Sequence, residues 1–337
     1  MLRVMRKIAC LMLIIVLFVG AQIAISTVEG SSSGSDKIIV VATIPPLASI
    51  AREVGGEYVE VYYLVPPTSD PHQFTLSPSD MDLIRKCDLF IAVGKESFLG
   101  ELPADSGRVR LSWEDWVSGG ITVRDDNPHY LWLYPENAVI IADKIAGRLA
   151  YLDPAHSDYY YARLREFKSK IKRLIDWINE YTMMNGVRGE KIVLGGAHFQ
   201  PIAEAMGLTV IATIIRGEGK LPSSTELNNI VEKVKKEKPS IILVLVSQRT
   251  GDEGRIAEMV SRETGVPVAY AYAIMFNGND TYIEFIKYTV TSITSSIIVG
   301  REGNYNSTQS ININILMASY IILLLLLGVE TIILVRR

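Results

Sequence analysis

The chain has 337 residues, 34 Lys and Arg against 37 Asp and Glu, and a formal net charge of −3, so it lacks the basic excess of a nucleic-acid binder and is long enough for two domains once its ends are set aside. Hydrophobic residues make up 48% of it, a share inflated by apolar stretches at both ends. Only two cysteines occur, Cys10 and Cys87, which excludes a disulfide-stapled scaffold and leaves Cys87 as a buried small residue.

In chain order, Arg3, Arg6 and Lys7 precede an apolar stretch over residues 8–25, after which polarity returns at Ser26-Thr27. This is the order of a secretory signal, taken as residues 1–28, with an uncleaved N-terminal anchor as the competing reading. Residues 29–36 are a Ser/Gly tether. An N-terminal lobe is expected over residues 37–152. Its pattern predicts a strand at 37–43 and a helix from Pro45-Pro46 to Val54 stopped by Gly55-Gly56. A strand at 58–65, a helix opened by Ser77-Pro78-Ser79-Asp80 and a buried strand at 88–93 follow. Short strands at 108–111 and 120–123 and a helix over 135–152 complete it.

Residues 153–186 predict one long linking helix. Asp153 suits the N-cap, Pro154 the first turn and Asn185-Gly186 the C-terminal stop. Between them Tyr160, Leu164, Phe167, Ile171, Leu174 and Ile178 form one helical stripe, so the segment reads as a stiff beam between two globular halves. A C-terminal lobe over 187–299 repeats the alternation. Strands are expected at 191–197, 208–214, 241–246 and 266–272, with helices at 199–206, from the capping box at Ser223 to Glu237, at 252–264 and from Asn279 to about Ile298. The fold class is therefore α/β, two parallel-sheet lobes joined by one long helix, with ligands expected in the cleft beyond the strands' carboxyl ends.

Residues 300–312 read as a linker and 313–335 as a transmembrane anchor of about 30 Å, with Arg336-Arg337 inside and the body on the extracellular side of the cell membrane. Sequons at Asn279 and Asn306 acquire meaning as glycosylation sites only in an external compartment.

The candidate chemistry lies with the histidines. Three of the four, His72, His129 and His198, stand on loops or at a strand exit, whereas His156 falls in the first turn of the linking helix. Each of the three can be a structural histidine bonded to backbone. Converging on one cleft, they suit zinc, and cobalt, nickel or manganese with oxygen ligands added.

At these residues the sequence resembles the metal-binding solute receptors of zinc and manganese ABC importers. The resemblance is carried by Val40 through Pro46, Leu64 through Pro67, Asp70-Pro71-His72-Gln73-Phe74, Ser77 through Asp80 and Cys87 through Leu89. Asn127-Pro128-His129 with Trp132, Pro135 through Ala138, Leu152 through His156, Ala197-His198-Phe199, Gly207-Leu208 and Glu263-Thr264-Gly265 extend it over roughly residues 37 to 298. It implies a monomeric receptor that holds one Zn2+, or Mn2+, between two lobes on His72, His129 and His198 and delivers it to a membrane permease and its ATPase. The family's fourth ligand does not carry over. After the strand at 241–246 stands Ser247-Gln248 rather than a carboxylate, and near the last strand stands Tyr270-Ala271-Tyr272 rather than an aspartate. Asp70, Glu218 and Ser247 are the possible additional ligands.

Three imidazoles with an open fourth position also build hydrolytic zinc enzymes, so an anchored extracellular zinc hydrolase is the second reading. Against it stand the absence of a His-Glu-x-x-His motif, of a nucleophile elbow and of an obvious general base; the receptor reading is not an enzyme. A pure adhesion module is the third class and needs no convergent histidines.

Overall fold

The computed structural model describes residues 37–67, 74–102, 109–217, 220–275 and 277–302. The signal, the C-terminal anchor, the Asn306 sequon, Asp70, His72 and Glu218 lie outside the described residues. Among the described residues no helix is long and apolar enough to cross a membrane.

Two four-stranded, all-parallel sheets form the frame. The first contains β1 (Ile38–Ala42), β2 (Val59–Tyr63), β3 (Leu89–Ile91) and β4 (Val109–Leu111) in the order β2-β1-β3-β4. The second contains β5 (Lys191–Gly196), β6 (Thr209–Ile215), β7 (Ile242–Leu245) and β8 (Val268–Ala271) in the equivalent order β6-β5-β7-β8. Central strands of parallel sheets are covered on both faces, which is why β1 and β3 are unbroken apolar runs, while the edge strand β2 alternates buried with exposed. In each lobe the chain runs outward from the first strand to one neighbour and then back across to the other. The gap between β5 and β7 is thus a switch point, a crevice where neither adjoining crossover covers the strand ends.

The crossovers are helices with local reasons to start where they do. They are α1 (Pro45–Gly55), α2 (Pro78–Lys86), α3 (Trp113–Ser118), α4 (Tyr130–Leu133) and α5 (Asn137–Leu152) in the first lobe. Helix α6 (Ser157–Met184) links the lobes, and α7 (Gln200–Ala205), α8 (Ser224–Glu237), α9 (Asp252–Thr264) and α10 (Tyr282–Glu302) serve the second. Reciprocal capping boxes open α2 at Ser77 with Asp80, and α8 at Ser223 with Glu226.

Two sequence expectations change. Residues 120–123 form no strand; Gly120 has φ 87°, and Asn137 ties the segment down through Thr122, accepting from its N–H and donating to its carbonyl, both at 2.8 Å. The linking helix also starts later. Pro154–His156 make a 3-10 turn first, and Asp153 does not cap it, because its carboxylate is taken by His156 at 2.7 Å and by the Tyr160 hydroxyl at 2.8 Å. Burial works to raise the Asp153 carboxyl, but those hydrogen bonds prevail and hold it below its ordinary value. His156 stacks on Tyr58 at 3.8 Å and so has a packing role.

At 1.5 Å per residue the 28-residue α6 is about 42 Å long. Its buried stripe of Tyr160, Leu164, Phe167, Ile171, Leu174 and Ile178 packs on α1, α5 and α10, with Phe167 against Tyr282 at 6.4 Å. One hydrophobic cluster runs through β1, α5, α6, β5 and α10, so the lobes share a core in addition to the helix that joins them; a smaller cluster lies under α8 and α9.

Candidate metal-binding site

The strand ends of the second lobe meet a loop of the first. That loop, residues 124–129, carries consecutive left-handed residues, Asp125 at φ 52° and Asp126 at φ 54°, a conformation that Asp tolerates better than most. The double turn sets Asn127 and His129 against the exit of β5. Asn127 Nδ2 donates to the Ala197 carbonyl at 2.8 Å, which fixes its amide, so Oδ1 faces His129. Oδ1 then accepts from the His129 backbone N–H at 3.0 Å and from Nδ1 at 2.8 Å. An amide oxygen can only accept, so the neutral ring carries its proton on Nδ1 and its lone pair on Nε2, the form a metal ligand requires.

His198 arrives from the other lobe. It stands in the 3-10 turn Ala197–Phe199 directly after β5, with its side chain one-fifth exposed. The His129 and His198 rings meet edge to face with centroids 4.7 Å apart, and Trp132 tilts against His129 at 4.9 Å. Behind His198, its Nδ1 is buried and makes no aligned hydrogen bond, although the carboxylate of Glu253 lies 3.4 Å away. Glu253, in the first turn of α9, is 3% exposed and accepts from the Leu245 N–H at 3.0 Å.

Several bonds fasten the two sides of the site. Arg124 pairs with Glu204 of α7, Nε to Oε2 at 2.7 Å, and the Tyr130 hydroxyl donates to the same carboxylate at 2.8 Å. The Arg124 hydrogen bond, working against partial burial, holds the Glu204 carboxyl below its usual range, while burial raises the Tyr130 phenol. Trp132 Nε1 donates to the Ala273 carbonyl at 2.7 Å, and the Tyr282 hydroxyl donates to the Trp132 carbonyl at 3.0 Å. Two imidazoles from opposite lobes are thereby held at a fixed spacing, His129 with its tautomer set.

Of the residues the sequence points to, the structure brings His129 and His198 together and leaves His156 elsewhere. Ser247 is exposed on the 3-10 turn Val246–Gln248. Among the described residues no cluster of three or more His, Cys, Asp or Glu gathers as a metal site. Sequence reasoning missed Asn127, Glu204 and Glu253 as parts of the arrangement. Only the pair Gly195-Gly196 ahead of His198 hinted at Glu253, since paired glycines ending a strand mark a close approach.

The sequence profile of the zinc-uptake complex component A periplasmic family, ZnuA, matches residues 40–296. The metal ABC transporter substrate-binding lipoprotein ScbA of Streptococcus cristatus is 26% identical over 320 residues, covering 87% of this chain and 99% of that protein. The manganese ABC transporter substrate-binding lipoprotein PsaA of Streptococcus pneumoniae is 25% identical over 313 residues, covering 84% and 97%. The crystal structure of ZnuA superposes with a TM-score of 0.65 at 22% identity, covering 78% of this chain and all of the other, a likeness of fold.

Proposed function

The chain belongs to the ZnuA family of zinc-uptake components, metal-binding receptors of ABC importers, and on that premise we propose that it takes up a divalent transition metal, zinc above all, between its lobes on His72, His129 and His198. The reading is supported chiefly by one observation: His129 and His198 come from different lobes, stand edge to face at 4.7 Å, and are tied together through Asn127 and the Ala197 carbonyl. A receptor has to hold its cargo without consuming it, and a site closed by residues of both lobes does this. The hydrolase reading gains no support from the relatives.

The named relatives include manganese receptors, so the choice of metal rests on the donors. Neutral imidazoles suit zinc; manganese favours added oxygen ligands, which Asp70 or Glu218 would have to supply. In this reading the loaded receptor docks on a permease with its ATPase. The two relatives are lipoproteins by name. Here Cys10 lies inside the apolar leader stretch, and residues 313–335 serve as the anchor that keeps the body on the extracellular side.

The test is to strip the purified chain of metal, offer zinc and manganese separately, and count bound ions by elemental analysis. One zinc per chain is expected, lost in His72→Ala, His129→Ala and His198→Ala. Unchanged binding in the three variants would refute the ligand set.

A further inference from the structure

We propose that Glu253 is the positioning residue that makes His198 a metal ligand: its carboxylate, seated in the β5/β7 crevice, keeps the imidazole proton on Nδ1 and so presents Nε2 to the metal. This rests on the reading above, and it assigns a role to a side chain that touches His198 rather than the cargo.

The seat is built for a carboxylate. A Cβ on Gly195 would stand 2.7 Å from Glu253 Oε1, and one on Gly196 would stand 2.7 Å from Oε2 and 2.8 Å from His198 Nδ1. Any side chain at either position would therefore evict the group or push the ring. From the other side Leu245, the last residue of β7, donates its N–H to Oε1 at 3.0 Å. The carboxylate thus bridges the ends of both central strands at the switch point of the sheet, with Oε2 turned to the ring.

A 3% exposed carboxylate needs donors, and a buried imidazole nitrogen needs a partner. Among the described residues His198 Nδ1 makes no hydrogen bond, and the nearest acceptor that can claim its proton is Glu253 Oε2, 3.4 Å away and not yet aligned. Because an ionised carboxylate can only accept, the pairing selects Nδ1–H. A carboxylate behind a ligating histidine orients the ring and raises its basicity. Asn127 performs the same service for His129 with a neutral amide oxygen, so each lobe supplies one imidazole and the support for it.

The experiment uses the full-length chain in mild detergent, free of metal and labelled with 15N-histidine at mildly alkaline pH, where long-range nitrogen–proton correlations report the tautomer of each ring. With only four histidines, single His→Ala variants assign the signals. His198 is expected as Nδ1–H in the parent chain and shifted toward Nε2–H in Glu253→Gln, whose amide can donate to Nδ1. Zinc affinity should fall by roughly 10–100-fold in that variant and recover in part in Glu253→Asp. Glu258→Gln, on the same helix but bonded to the Tyr270 hydroxyl, should change neither. An Nε2–H tautomer in the parent chain, or an unchanged tautomer and affinity in Glu253→Gln, overturns the proposal. Should Glu253→Gln fail to fold, the parent tautomer and the Glu253→Asp affinity decide. The tautomer is read without metal, so a parent chain that binds neither zinc nor manganese would refute the receptor reading, while the tautomer assignment of His198 would stand or fall on its own signal.

Discussion

At the scale of single residues, Asn127 does the most with the fewest atoms. Its amide bonds the Ala197 carbonyl in one lobe and both donors of His129 in the other. Asn127→Ala should lower zinc affinity by about 10–100-fold, as measured by competition with a chelator, because the His129 ring loses its orienting acceptor. It should also cost about 1–3 kcal/mol in denaturant unfolding, since a 9% exposed residue leaves its partners unpaired. His129 and His198 were legible in the sequence because histidines are rare in this chain and a loop or strand exit is where an open α/β sheet presents ligands. Glu253 was not. In one dimension it is an ordinary acidic residue in the first turn of a helix, beside Asp252, where negative charge is favoured anyway. Only the fold shows that the first points into the crevice between two strands while its neighbour pairs with Arg255 at the surface.

At the scale of elements, the strands and most helices were readable because period and punctuation agreed: unbroken apolar runs for buried parallel strands, a three-and-four stripe for α6, capping boxes for α2 and α8. The expected strand at 120–123 failed because a tertiary contact, the Asn137 side chain, satisfies the backbone that a ladder would have used. Helix α6 carries its load through a few large side chains. Phe167→Ala, removing a 1% exposed ring that faces Tyr282, should cost about 3–5 kcal/mol in urea unfolding, far more than a change on the solvent face such as Lys172→Ala. At the end of β5, Gly196→Ala should destabilise the chain and weaken zinc binding together, because the added methyl meets Glu253 and His198 at once. A destabilised variant with full affinity would show that the socket and the ligand are not coupled.

At the scale of the whole molecule, the lobes are bound to each other by a shared core and by polar bonds around the site. Unfolding followed by tryptophan fluorescence, whose four reporters lie in the first lobe and α6, should coincide with unfolding followed by far-ultraviolet circular dichroism. Two separate transitions would mean that the lobes fold independently. The Arg124–Glu204 pair adds a pH signature. The Glu204 carboxyl sits lower when folded than the ordinary value of about 4.3, so its contribution is present above that value and is lost as pH falls through the lower one. Glu204→Gln should therefore be less stable than the parent at neutral pH, with the gap in urea midpoint closing in acid below that ordinary value. Metal uptake by this chain, however, requires that imidazoles from two lobes close on one ion. It is tested most directly by X-ray absorption at the zinc edge on the loaded chain. Three nitrogen scatterers at imidazole distance, about 2.0–2.1 Å, are expected, falling to two in His129→Ala and in His198→Ala. A first shell of oxygens alone, or one indifferent to either substitution, would contradict it.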